Sequence, residues 1–500
     1  MVIKKIKMLM NISNRTLFFG DNLKILEEKI PDEFFDLIYL DPPFNSNKNY
    51  NVLFKEGKVD SSAQIHAFED TWEWTDETVK LLKELKTNYN PKVAILINSL
   101  TEFIGHNPMM AYLVNMTARI IPLHRVLKST GSLYLHCDST ASHYLKIILD
   151  VIFGTENFRN EIVWERGTAS GGKAGGDKFV PNHDIILFYV KDVDKKLFNR
   201  QYIEYTKEYV EQRFKYTDEK GRRYRLQLSN RKQYLDESRG KPVSDIWTDI
   251  FPINPMAKEK LGYPTQKPEA LLERIIEASS KEGYWILDPF CGCGTTVAVA
   301  EKTHRNWVGI DISMQAIKVI EQRLKDHYSG IKIHTDGIPM DYESASRLAQ
   351  NDKFAFQDWA ISLIGAYPPS GELRKGADRG IDGVILFYEK VDLRNPKLKK
   401  IIIQVKGGGT GRGDIAKLKG DIEREDAPMG VLVILHDPTA EMKRETALAG
   451  EYKYSNNISF PKIQILSIKD WFNGLGVKLP TDTVNPFKRA EAKADQQKLI

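Results

Sequence analysis

The apolar positions of the first 150 residues fall into short β-rich runs, "FDLIYLD", "KVAILINSL" and "GSLYLHCD". Between the last two, "MAYLVNMTARIIPLHRVLKS" carries the spacing of a helix. Strand, helix and strand in that order predict an α/β domain with a mainly parallel sheet. From about residue 165 to 260 the pattern breaks, first in the glycine-rich "GTASGGKAGGDKF" and then in a polar stretch of little periodicity. Alternation returns with "EALLERIIEASS" as helix, "YWILDPF" as strand, "TTVAVAEKTH" as helix and "NWVGIDI" as strand, the extent of one βαβ unit. After a further helix, "MQAIKVIEQRLKDHY", the polar residues 335–352 read as a boundary. A second α/β pattern fills roughly 353–472, and the end of the chain, "KRAEAKADQQKLI", reads as a solvated tail.

Composition narrows the class. Of 500 residues, 42% are hydrophobic and 28% charged, as in a globular protein of more than one core. There is no run of eighteen apolar residues, and "MVIKKIKMLMN" at the start is short and lacks a signal cleavage site. The expectation is a cytoplasmic protein with no membrane partner. Cys137, Cys291 and Cys293 are an odd trio with neither metal-site spacing nor a disulfide framework. The net charge of +5 is mild over this length.

Two short stretches carry candidate chemistry. In "DLIYLDPPFN", residues 36–45, an apolar strand runs into Asp41, Pro42, Pro43 and Phe44. Two successive prolines lack N–H groups and have fixed φ, so the chain holds something rigidly at the strand end. In "WILDPFCGCGTTVAVAEK", residues 285–302, a strand leads through Asp288, Pro289 and Phe290 to Gly292, Gly294 and a helix. Glycines there let backbone approach a ligand, and the helix start favours a carboxylate or anion. Asp311 ends the next strand nineteen residues after Gly292, where an acidic side chain accepts ribose hydroxyls. A nicotinamide site would show a third glycine, and no Walker lysine follows, so an adenosine-containing cofactor of another kind fits better.

"LDPFCGCGTT" resembles the S-adenosylmethionine loop of DNA amino-methyltransferases, and "LDPPF" resembles their catalytic tetrapeptide. Asp288 follows Asp41 by 247 residues, and this order, catalytic motif first, is that of the β-class enzymes. "FFGDN" resembles the element whose acid, here Asp21, contacts the cofactor adenine; "GYPTQKPEALLERII" resembles the segment where Thr265, Lys267 and Pro268 border the methionine end. "ENFRNEIVWER" and "NHDIILFYVK" resemble the family's strands leading into its variable region. Thr295 belongs to the same loop, and Cys293 stands where the family usually has serine, a small-for-small exchange. The resemblance covers roughly residues 14–330.

That resemblance implies a Rossmann-like, S-adenosylmethionine-dependent methyltransferase domain over 1–345, with a target-recognition region at about 165–260. It implies a prokaryotic or phage-encoded, nucleoid-associated enzyme of restriction and modification or a related defence system, acting on double-stranded DNA, with a homodimer as one expected assembly. An exocyclic amine is a poor nucleophile because its lone pair is delocalised into the ring. Asp41 and the Pro42 carbonyl would each accept one of its hydrogens, and Phe44 would stack on a base flipped out of the duplex. Aspartate in first place and an aromatic in fourth resemble adenine-N6 enzymes, with cytosine N4 as the alternative.

Residues 213–241, "RFKYTDEKGRRYRLQLSNRKQYLDESRGK", hold ten basic residues against four acidic ones, with Phe214, Tyr216, Tyr224 and Tyr234 interleaved. Lying in the family's target-recognition slot, Arg213, Arg222, Arg223, Arg225, Arg231 and Lys232 are expected to contact DNA. A basic run is otherwise a solvated face.

In "GADRGIDGVILFYEK" and "KKIIIQVKGG" an aspartate on one strand and Gln404 and Lys406 on the next share one edge of a hairpin. Such a set can hold Mg²⁺, with Asp382 as ligand, and orient a water near a phosphodiester. Asp382, Gln404 and Lys406 resemble the core of the PD-(D/E)XK nucleases in the Mrr-like form, which has glutamine in place of the second acid. The resemblance implies a smaller α/β, restriction-endonuclease-like domain over 350–475, followed by a polar tail at 476–500. Where that family has a helical glutamate, "FAFQDWAISLIGA" offers Gln357, with Asp358 beside it. The alternative is a domain that only grips DNA.

Overall fold

The computed structural model describes residues 12–43, 49–53, 64–69, 72–167, 179–228, 230–254, 257, 259–261, 263, 266–369, 380–389, 397–455, 458–481 and 483. Phe44, Thr265, most of the glycine-rich run and residues 484–500 lie outside them.

The chain begins with β1 (Thr16–Phe19), α1 (Asn22–Glu28) and β2 (Phe35–Leu40), and all six side chains of β2 are buried. An antiparallel hairpin follows, β3 (Asn49–Leu53) and β4 (Gln64–Glu69). Three helices, α2 (Asp76–Asn88), α3 (Pro91–Ile104) and α4 (Pro108–Val126), precede β5 (Leu127–Cys137). "KVAILINSL", expected as a strand, lies in α3. Asn90 caps it by accepting from the Lys92 N–H, Pro91 fills a first-turn position where no N–H is needed, and Val93, Ile97 and Leu100 recur at helical spacing to bury one face.

α5 (Ser142–Phe153), β6 (Phe158–Glu165) and β7 (His183–Val190) lead into the region of weak periodicity. There, β8 (Tyr202–Ile203), α6 (Lys207–Arg213), β9 (Tyr216–Thr217), β10 (Arg223–Leu226), β11 (Lys232–Tyr234), β12 (Lys241–Pro242) and β13 (Ile246–Trp247) are mostly too short to show a period. β9, β10 and β11 form an antiparallel sheet, and β8 pairs with β12. α7 (Glu269–Ser279), β14 (Trp285–Asp288), α8 (Thr295–Lys302), β15 (Asn306–Asp311), α9 (Met314–His327) and β16 (His334–Asp336) complete the first unit.

Its sheet has nine strands in the order β13-β6-β7-β5-β2-β14-β15-β1-β16. All neighbours are parallel except β7, which runs antiparallel to β5 and β6, so the sheet is mixed. Parallel pairing of β2, β14, β15 and β1 brings their carboxyl ends to one edge, where open α/β sheets bind ligands. The Asp41 turn, the Asp288 loop, Asp311 and Gly20-Asp21 all follow or end these four strands.

Residues 335–352, read above as a boundary, are structured: β16 pairs with β1, and α10 (Tyr342–Asn351) is separated from α11 (Lys353–Leu363) by Asp352 alone. The polar sequence is that of an exposed helix, with Asp341 and Ser344 closing its first turn. Next come β17 (Gly383–Tyr388), β18 (Leu398–Lys406), α12 (Arg412–Arg424), β19 (Met429–Ile434), α13 (Ala440–Leu448), β20 (Glu451–Lys453), β21 (Ser459–Pro461), β22 (Ile463–Ser467) and α14 (Ile468–Phe472). Four strands in the order β17-β18-β19-β22 form the second sheet. Ile401, Ile403 and Val405 of β18 share a cluster with Phe356 and Trp359 of α11, while Ile402 joins Ile415 and Leu418 of α12. The first cluster also holds Ile317 and Ile320 of α9, so one apolar core runs from the first unit into the second.

Candidate functional site

Asp41 leaves the end of buried β2, and its Oδ2 meets Lys267 Nζ at 2.5 Å, an ion pair formed across 226 residues of chain. Its Oδ1 is buried and has no hydrogen-bond partner among the described residues. Lys267, expected at the cofactor's methionine end, is therefore brought to the catalytic candidate. Behind Asp41, Pro43 accepts a bond from Trp72 Nε1 at 3.4 Å, which ties the turn to the segment before α2.

The glycine loop lies across from this turn. Gly292 (φ +49°) and Gly294 (φ +74°) take left-handed backbone that L side chains rarely adopt, and Gly294 opens α8. Gly292 N–H donates to Asp311 Oδ2 at 2.8 Å and Ser313 N–H to Asp311 Oδ1 at 2.8 Å, so the acid at the end of β15 fixes the loop. Asp288 accepts from the Phe290 N–H. A Cβ on Gly294 would sit 2.6 Å from Ile320 Cγ1, so the loop is pressed onto α9.

Several contributors were absent from the motif reading. Asn22 Nδ2 donates to the Pro289 carbonyl at 2.7 Å, and Arg119 of α4 donates to Asn22 Oδ1 at 2.7 Å and to Asp21 Oδ1 at 3.0 Å. Asp21 also accepts from the Leu23 N–H as the cap of α1. One network thus ties the end of β1 to the loop after β14. Buried Arg323 of α9 donates to the Cys293 carbonyl and to Glu269, next to Pro268, which precedes α7. For Arg119 the sequence signal was a charged residue inside an otherwise apolar helix.

The carboxyls carry unusual electrostatics. Burial pushes the Asp288 carboxyl up to about 7, against hydrogen bonds from Thr296 and the Phe290 N–H and with the charges of Asp41 and Asp311 adding to the rise. Asp311 is raised to about 6, mainly by burial. A free aspartate titrates near ~3.9, so the folded chain holds the extra proton between the two values. That contribution to stability is full below pH ~4 and is lost as pH rises towards 7. Asp288→Asn is expected to raise the stability of the ligand-free protein by about 2 kcal/mol at pH 8, with a smaller gain towards pH 5, measured by urea unfolding at both values.

A nucleoside with a charged tail fits this edge. Left-handed glycines, a buried acid that fixes them and the start of α8 suit a ribose and its adjoining chain. None of these groups forms a metal cluster, and no cluster of three or more His, Cys, Asp or Glu able to hold a metal occurs among the described residues.

The basic region carries pairings that its composition does not show. Arg222 pairs with Asp236 and Glu237, Arg223 donates to the Phe214 and Val210 carbonyls, and Arg225 donates to Gln233 and to the Tyr209 hydroxyl. Arg222 also stacks on Tyr234, Arg225 on Phe214 and Lys232 on Tyr224. A sheet of two- to four-residue strands cannot build an aliphatic core, so guanidinium and aromatic groups do the packing. Four of the six residues expected on DNA, Arg222, Arg223, Arg225 and Lys232, thus have partners within this region, while Arg213 and Arg231, like Arg223 and Lys232, are exposed.

In the second unit, Asp382, Gln404 and Lys406 come together with Lys417 of α12. Asp382 Oδ2 accepts from the Val405 N–H at 2.6 Å, and burial raises its carboxyl to about 6 against the charges of Lys406 and Lys417. Gln404 is fully buried and donates to Asp421 of α12, while its Oε1 has no partner among the described residues. Asp358 is not at this site: its Oδ2 accepts from the Met314 N–H of α9 at 2.5 Å.

Residues 35–322, more than half of the chain, match the model of a family described as DNA methylase, the N6_N4 group. A Type II methyltransferase, M.HpaI of Haemophilus parainfluenzae, is 28% identical over 309 residues, covering 62% of this chain and 72% of that protein. The DNA adenine methyltransferase YhdJ of Escherichia coli K12 is 29% identical over 318 residues, covering 63% and 85% respectively. No helix among the described residues is long and apolar enough to cross a membrane.

Proposed function

The chain belongs to the N6_N4 DNA methylase family, and on that premise we propose that it moves a methyl group from S-adenosylmethionine to adenine N6 in DNA. The observation that carries this reading is Asp41, with one carboxylate oxygen paired to Lys267 and the other buried without a partner among the described residues, beside the glycine loop. An unpaired buried acceptor costs about 1–3 kcal/mol, which an incoming amino group offsets. Relatives named as Type II and adenine methyltransferases support the same reading.

The donor, when bound, supplies an activated sulfonium methyl. Asp311 holds the ribose hydroxyls, Asp21 the adenine side, and Thr265, Lys267, Pro268 and the loop of Asp288, Pro289, Phe290, Gly292, Gly294 and Thr295 the remainder. Asp41 accepts one hydrogen of the target amine and the Pro42 carbonyl the other, which draws nitrogen towards a tetrahedral state and frees its lone pair. Pro42 and Pro43 hold that carbonyl before substrate arrives, and Phe44 stacks on the flipped base. Arg213 and Arg231 contact the phosphates of double-stranded DNA, while Arg222, Arg223, Arg225 and Lys232 shape the surface that carries them. The test is sequencing with modified-base detection on DNA incubated with protein and donor: N6-methyladenine in one context is expected, and N4-methylcytosine would move the reading to the alternative base.

The second unit, roughly residues 350–475, supports a further reading as a PD-(D/E)XK-type nuclease module. Asp382 would hold Mg²⁺, Gln404 Oε1 offers a second oxygen, and Lys406 and Lys417 supply positive charge for a phosphodiester. Methylation of DNA at the Asp41 site would then protect the DNA that this module cuts. Unmethylated DNA with Mg²⁺ is expected to be cleaved by the protein and not by Lys406→Ala; uncut DNA with both leaves the module as a DNA-gripping domain.

A further inference from the structure

Helix α9 stands between two acids that belong to different units. Asp311, at the end of β15, receives the Gly292 and Ser313 N–H groups. Three residues after Asp311, Met314 opens the helix, and its N–H is taken by Asp358 of α11 at 2.5 Å. Two more bonds hold the same helix against the second unit: Gln315 Nε2 donates to the Ala366 carbonyl at 2.9 Å and Lys318 Nζ to the Ser362 carbonyl at 2.5 Å. Three successive contacts, at positions 314, 315 and 318, thus fix the first turn of α9 from outside the methylase family's matched segment, which ends at residue 322.

Asp358 touches neither the glycine loop nor the Asp41 turn in any bond described above, yet it lies close enough for its charge to act on Asp311 and on Tyr263. Tyr263 is the residue whose ring lies 3.6 Å from where a Cβ on Gly292 would stand. Moving the start of α9 would therefore move Ser313, then Asp311, and with it the N–H of Gly292. Such a chain of bonded, packed groups is the physical means by which one unit can bias the other.

We infer that Asp358 of the second unit is a positioning residue of the methyl-donor site, and that donor binding and the packing of α11 on α9 are coupled. The inference rests on the donor assignment made above for Asp311. Coupling is reciprocal: if α11 improves donor affinity by holding α9, donor must tighten α11 on α9 by the same factor. The second unit, joined in this way, responds to donor bound in the first.

The experiment uses the full chain. Donor affinity is measured by calorimetry with S-adenosylmethionine alone for the unmodified protein, Asp358→Ala and Asp358→Asn, alongside amide exchange over residues 353–363 with and without donor. Asp358→Ala removes the acceptor for the Met314 N–H and is expected to weaken donor binding about tenfold. Asp358→Asn keeps an acceptor oxygen and is expected to stay within about threefold of the unmodified protein. With methyl transfer as readout, Asp358→Ala should raise KM for the donor and leave kcat near its starting value. In the unmodified protein, donor should slow exchange in α11. Equal donor affinity for the unmodified protein and Asp358→Ala, or α11 exchange indifferent to donor, overturns the inference while leaving the methylase reading intact. Absence of donor binding by the unmodified protein overturns both. If Asp358→Ala unfolds, α11 exchange in the unmodified protein, with and without donor, still decides.

Discussion

Asp41→Asn is expected to lower the rate of methyl transfer by at least about a hundredfold while donor affinity changes little. The expectation follows from what each oxygen does. Oδ2 is bound by Lys267 Nζ at 2.5 Å, and Oδ1 is the buried acceptor with no partner among the described residues. An asparagine in the same rotamer must turn its NH₂ either to Lys267, donor against donor, or to the target amine. Turned to the amine, the NH₂ removes one of the two acceptors; turned to Lys267, it opposes a donor and leaves the base a neutral amide oxygen, a weaker acceptor than the carboxylate. Loss of one preorganised polar group of this kind typically costs ~10²–10³ in rate. Single-turnover methyl transfer and donor titration on the same preparation separate the two effects. Loss of donor binding in proportion to loss of rate would mean that Asp41 acts on the donor and not on the base.

The second large effect is expected at the glycine loop. Gly294→Val places a branched side chain on a residue with φ +74°, where its Cβ would approach Ile320 Cγ1 to 2.6 Å and Val297 Cγ2 to 3.1 Å. Left-handed strain of about 1–3 kcal/mol adds to overpacking of about 1–3 kcal/mol, and the loop relieves both only by moving off α9. Arg323, which donates to the Cys293 carbonyl from the same helix, would lose its acceptor geometry. Donor binding is expected to fall below detection in calorimetry, with a lower unfolding midpoint. Gly283→Ala serves as control: it too has positive φ, but nothing lies within 4 Å of its Cβ, so a small loss of stability with unchanged donor binding is expected.

What the sequence made legible and what it hid divide along a physical line. The strands ending at Leu40 and Asp288 are short, apolar and followed closely by proline, and the strand ending at Asp311 continues the β-α-β alternation, so local pattern sufficed to place each motif at a strand end. "KVAILINSL" shows the limit of that pattern: its run of apolar residues suits a strand or a helix, and the deciding marks were Asn90 and Pro91 just before it. Contacts across long separations carried no local mark. Lys267 with Asp41, Asn22 with the Pro289 carbonyl and Asp358 with Met314 each depend on how loops meet after the sheet has formed. The arginines of residues 222–225 were readable as charge, but not as packing, because nothing in a basic run tells which guanidinium has an aromatic or carboxylate partner in a three-stranded sheet.

The central claim is that Asp41 and the glycine loop make one methyl-transfer site acting on adenine. Its most direct test is nucleoside mass spectrometry of DNA incubated with the protein and a donor bearing a deuterated methyl group. Deuterated N6-methyl-2′-deoxyadenosine from the unmodified protein, and none from Asp41→Asn, is the predicted result. Label absent from adenine with the unmodified protein, or present to the same extent with Asp41→Asn, would contradict it.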